Sequence, residues 1–145
     1  MKLVLALAAL CAILIVVPVS AAKPVPSGTI AIAAGSELNL GGWVSFDTTT
    51  DNVPGGTNLR VQIMCYQDVN ESGTVSRTED LDANGFVDDV VYGMALAADD
   101  SFELGGGSSD WLTNGGPAEC DAVLFFWGVQ GAFVDLAALT FAAGG

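Results

Sequence analysis

Two stretches of alternating side chains constrain this chain more than any other feature. In residues 59–67, Leu59, Val61, Ile63 and Cys65 fall on one face, with Arg60, Gln62, Met64 and Tyr66 on the other. In residues 120–127, Cys120, Ala122, Leu124 and Phe126 share a face opposite Asp121, Val123, Phe125 and Trp127. A period of two is the signature of a strand with two unlike faces. No segment after the N-terminal apolar run holds a 3.6-residue period over three turns. The fold class predicted is therefore all-β.

Further strands are predicted at residues 29–33, 38–46, 86–96, 101–104 and 133–141, with Val90, Tyr92, Met94 and Leu96 in phase. Gly41 and Gly42 would mark a bulge that reverses the phase within 38–46. About seven strands in a chain of 145 residues suggest a two-sheet antiparallel sandwich. A jelly roll or small barrel is the structural alternative.

The N-terminus reads as an export signal. Lys2 precedes an unbroken apolar run from residue 3 to residue 17. That run is too short for an average membrane span and suits a signal-peptide core. Pro18 ends it, and the small residues Ser20, Ala21 and Ala22 predict cleavage after Ala21 or Ala22. Residues 1–21 are thus predicted to be a signal peptide, 22–28 an extended leader with Pro24 and Pro26, and 29–145 the sandwich domain. An uncleaved anchor is the alternative. After cleavage no stable membrane span is expected, and the localisation predicted is secreted, extracellular. No sorting motif follows the last strand, which predicts release or non-covalent attachment.

Charge and composition exclude several functions. Lysine and arginine total 4, aspartate and glutamate 17, and histidine is absent, for a net charge of −13. Nucleic-acid affinity depends largely on cations that displace phosphate counterions, so no nucleic-acid partner is expected. The absence of histidine removes Ser–His and Cys–His catalysis and His-ligated zinc. The acids Glu79, Asp80 and Asp82, or Asp99, Asp100 and Glu103, would serve a glycosidase only by facing each other across a cleft, which adjacency on turns does not provide. The chain is expected not to be an enzyme.

Cys11 lies in the predicted signal peptide, leaving Cys65 and Cys120. An even count in an exported chain suggests a disulfide, and each cysteine occupies the apolar face of its strand. Both are expected in the core, forming a bridge between the two sheets; two buried free thiols are the alternative. In these features the chain resembles the immunoglobulin-like sandwich, which pairs an early and a late core cysteine over a tryptophan. The resemblance covers about residues 29–141. It departs from the family in lacking a tryptophan at the usual distance after Cys65 and a tyrosine two residues before Cys120, where Ala118 stands. It implies an architecture, not a strand order. It leaves Trp43 or Trp111 as the ring on the bridge.

Residues 80–89, DLDANGFVDD, carry oxygen ligands at relative positions 1, 3, 5 and 9 with glycine at 6. This is similar to the calcium loop of EF-hand and dockerin sites. Calcium takes six to eight hard oxygens, which alternate side chains of a tight loop supply. Asp80, Asp82, Asn84 and Asp88, with the Phe86 carbonyl, form the candidate metal set, and calcium is the candidate cofactor. Position 12 is Val91, not the family's bidentate glutamate, and Asp89, Asp68 or Glu71 would have to complete the shell. The alternative is an acidic hairpin turned at Asn84-Gly85. Asn70-Glu71-Ser72 is a glycosylation triplet.

Val123, Phe125 and Trp127 form a candidate interaction surface on the face opposite the cysteines. A loop or the strand at 133–141 would cover it in the alternative. The reading that follows is a secreted, non-enzymatic binding, adhesion or surface module with a protein or carbohydrate partner. Trp43, Tyr66, Trp111 and Trp127 are its candidate surface aromatics. A structural subunit that self-assembles by exchange of its apolar C-terminal strand is the alternative, and a small hydrolase a third reading.

Overall fold

The computed structural model describes residues 22–68, 75, 90–105 and 116–144. Among the described residues seven strands follow in chain order: β1 Ser27–Ile32, β2 Trp43–Asp51, β3 Arg60–Tyr66, β4 Val90–Ala97, β5 Ser101–Glu103, β6 Ala118–Trp127 and β7 Phe133–Ala143. They form two antiparallel sheets, one in the order β1-β2-β5 and one in the order β4-β3-β6-β7. Among the described residues, no helix is long and apolar enough to cross a membrane.

The inward faces are those the alternation selects. Val61, Ile63 and Cys65 of β3 and Cys120, Ala122 and Leu124 of β6 are fully buried. Val44 and Phe46 of β2 and Phe102 of β5 close the core from the other sheet. Phe46 packs edge-on against Phe102 (5.9 Å between ring centroids) and Phe141 (6.3 Å). Each such pair contributes about 0.5–1.5 kcal/mol beyond the area it buries.

Residues 38–42 are not the start of a strand. The Gly42 N–H donates to the Asn39 carbonyl (2.8 Å), and Gly41 adopts φ +79°, so the segment is a tight turn preceding β2. The bulge expected at Gly41-Gly42 is replaced by this turn. It also holds the two sheets together. The Leu40 N–H donates to the Gly144 carbonyl (2.9 Å) and the Gly144 N–H to the Leu38 carbonyl (2.8 Å), in a parallel bridge beside the end of β7. At the other end, β1 comes close to the facing sheet at Gly28. A Cβ there would lie 3.2 Å from Leu124 and 3.3 Å from Leu136.

Cys65 and Cys120 form a disulfide, but within one sheet. They are directly opposite each other on neighbouring strands β3 and β6. Their Cα atoms are 4.0 Å apart. This fits the closely spaced, non-hydrogen-bonded type of antiparallel pair. The expected inter-sheet bridge is therefore corrected: inward phase shows that both thiols face the core, and register makes them neighbours. Trp43 does not cover the bridge either, being 56% exposed on the outer face of the other sheet. Phe141, opposite Cys120 on β7, supplies the adjacent ring. Trp111 lies outside the described residues.

Candidate functional site

The β6–β7 hairpin builds the most distinctive surface. Its connection is short because two residues take left-handed backbone: Gln130 at φ +63° and Gly131 at φ +74°. The Gly128 N–H donates to the Ala132 carbonyl (2.7 Å), which closes the turn. Trp127 and Phe133 are thereby the first cross-strand pair of the hairpin. With Phe125 they form a cluster of three rings. Phe125 stacks on Phe133 at 4.1 Å between centroids, and Trp127 meets Phe125 at 5.5 Å and Phe133 at 5.3 Å, both edge-on.

The three residues of the candidate surface therefore have different environments. Phe125 is 2% exposed, Val123 is half-buried and Trp127 is 58% exposed. The cover over Phe125 includes Phe133, itself 43% exposed. The patch is thus a buried ring supporting two open ones. Phe133 was not among the sequence candidates. The signal for it is the pairing of Trp127 with Phe133 across a glycine-bounded turn.

Trp127 also lines an open groove of about 440 Å³. Val129, at the hairpin tip and 88% exposed, continues the same wall. The opposite wall comes from the β2–β3 loop and includes Pro54, Gly56, Thr57 and Asn58. The Thr57 hydroxyl donates to the Pro54 carbonyl at 2.6 Å, which fixes the loop and leaves the hydroxyl oxygen free to accept. Among the described residues, none lining this groove is ionisable.

The other candidates fall elsewhere. Tyr66 is buried, with its hydroxyl directed to the Met64 sulfur at 3.8 Å, so it is not a surface aromatic. Trp43 is exposed in the three-stranded sheet, paired in register with Glu103. Asp99, Asp100 and Glu103 lie exposed around the β4–β5 turn. The candidate calcium ligands Asp80, Asp82, Asn84, Phe86 and Asp88, together with Glu79 and Asn70, lie outside the described residues. Among the described residues, no group of three or more cysteine or acidic side chains is placed to hold a metal ion.

The fold and the site define a class: a two-sheet antiparallel sandwich with one intra-sheet disulfide and an aromatic end. No family model, curated protein or solved structure matches the chain.

Proposed function

We propose that this chain is an exported, non-enzymatic β-sandwich module that binds a partner through the aromatic end of its four-stranded sheet. The observation that carries the reading is the exposure of Trp127 and Phe133 above the buried Phe125. Exposed rings held in place by their neighbours bind at low entropic cost, and tryptophan is over-represented among residues that dominate binding. The signal-like segment at residues 1–21 and the Cys65–Cys120 bridge support export to an oxidising compartment. The test compares the oxidised protein with Trp127→Ala on immobilised polysaccharide and peptide panels. Saturable binding that the substitution weakens, at unchanged melting temperature, supports the reading. Equal binding by both proteins, or none by either, overturns it.

Calcium belongs to this proposal through the D-x-D-x-N-G pattern at residues 80–85. A ligand bound only by the folded state at 100 times its dissociation constant adds about 2.7 kcal/mol. Calcium should then raise the melting temperature by several degrees over a chelator control. Loss of that rise in Asp82→Ala and Asp88→Ala supports a calcium-rigidified loop; no shift at millimolar calcium reduces it to an acidic hairpin. Self-assembly by exchange of the C-terminal strand has less support, because β7 pairs with β6 of its own chain from Phe133 to Ala143.

A further inference from the structure

We propose that the groove between the β2–β3 loop and the β6–β7 hairpin takes a neutral polysaccharide, with one pyranose ring seated against Trp127. The inference rests on the binding reading above and names its ligand. Its basis is the chemistry of the two walls. One wall offers an indole, 58% exposed, with an aliphatic neighbour in Val129. The other offers the exposed Asn58 amide and the Thr57 oxygen. A pyranose ring has the matching pair of surfaces: an apolar face of C–H bonds and a rim of hydroxyl groups that both donate and accept. An amide and a hydroxyl oxygen can satisfy that rim, while an indole covers the face.

Charge narrows the sugar. Among the described residues the groove has no ionisable lining side chain, and the chain carries a net charge of −13. An anionic polymer would enter a repulsive field without a cation to meet it. A cationic ligand would find no carboxylate among the described residues of the groove. The polar loop wall, with glycine and proline at its turns, also disfavours a lipid surface. At about 440 Å³ the groove is in the usual range for small-ligand sites, about 300–1,000 Å³, and it is open, so a longer chain can pass through it. The indole is oriented in advance by Phe125 and Phe133. Stacking therefore needs no reordering of the protein.

The test is affinity electrophoresis of the full oxidised protein through gels containing soluble glucan, mannan or xylan, with polygalacturonate as the anionic control. Retardation by at least one neutral polymer is expected, weaker by at least about tenfold in Trp127→Ala. Asn58→Ala should weaken it several-fold, and Trp127→Phe should retain part of it. The last two variants keep the test valid if Trp127→Ala fails to fold. Retardation by polygalacturonate alone, or neutral-polymer binding that neither Trp127 nor Asn58 affects, overturns the inference. Trp127-dependent binding to peptides without binding to any neutral polymer overturns the sugar but leaves the binding surface standing. Binding to neither class overturns both.

Discussion

Gly41 and Gly42 are adjacent and serve different purposes. Gly41 adopts φ +79°, a region where a Cβ is strained, yet nothing would lie within 4 Å of that Cβ. Gly42 has no such φ, but its Cβ would overlap the Glu37 carbonyl and come within 2.9 Å of the Asn39 carbonyl. Gly41→Ala should cost about 1–2 kcal/mol through backbone conformation. Gly42→Ala should cost about 2–3 kcal/mol, because rigid backbone must move. Urea unfolding of the oxidised variants checks the order, and equal midpoints would refute the distinction. At this scale the sequence indicated that something irregular occurs at the two glycines, not which kind. The same holds for Phe125. Alternation placed it with Val123 and Trp127, but its burial depends on Phe133, eight positions away and brought near only by the turn.

At the scale of elements, the strands were legible because their side chains alternate between unlike environments. β3 and β6 lie within two residues of their expected bounds. β1 begins at Ser27, and β2 runs from Trp43 to Asp51, later than expected, since the turn at Asn39 to Gly42 displaces its start. What alternation does not encode is the partner of a strand, which is why the disulfide joins neighbours in one sheet. Nor does it show where the phase slips. Register between β6 and β7 shifts at Leu124/Phe125, so that Leu136 has no partner, and the inward residues pass from Val134 and Leu136 to Leu139 and Phe141. The hairpin gives a prediction of its own. Gln130 holds φ +63°, unfavourable for a side chain with a Cβ, and is exposed. Gln130→Gly should raise stability by about 0.5–1 kcal/mol after allowing for the entropy of the unfolded chain. A lower melting temperature would show that the turn draws stability from the glutamine side chain.

Across the whole molecule, the all-β, two-sheet architecture followed from strand number and spacing, and the buried bridge from the phase of two cysteines. The aromatic end is half legible: alternation along β6 points to Trp127, while the loop wall of Thr57 and Asn58 comes from a connection distant in sequence, invisible to a local pattern. The bridge spans a sequence separation of 55. On the chain-entropy model, closing such a loop stabilises by about 4 kcal/mol. The double variant Cys65→Ala/Cys120→Ala should lose about that much in denaturant unfolding, and a loss below about 1 kcal/mol would show that the bridge restrains little. The same covalent link has a mechanical consequence. When a tensile load acts on the two ends of the chain, the segment between Cys65 and Cys120 is bypassed by the bridge and bears no load. In force spectroscopy the oxidised domain should therefore release roughly 180–200 Å less contour length than the reduced one. β4 and β5, which lie wholly between the two cysteines, cannot be drawn out into a tether while the bridge is intact, whereas β6 and β7, which carry Trp127 and Phe133, remain in the loaded path.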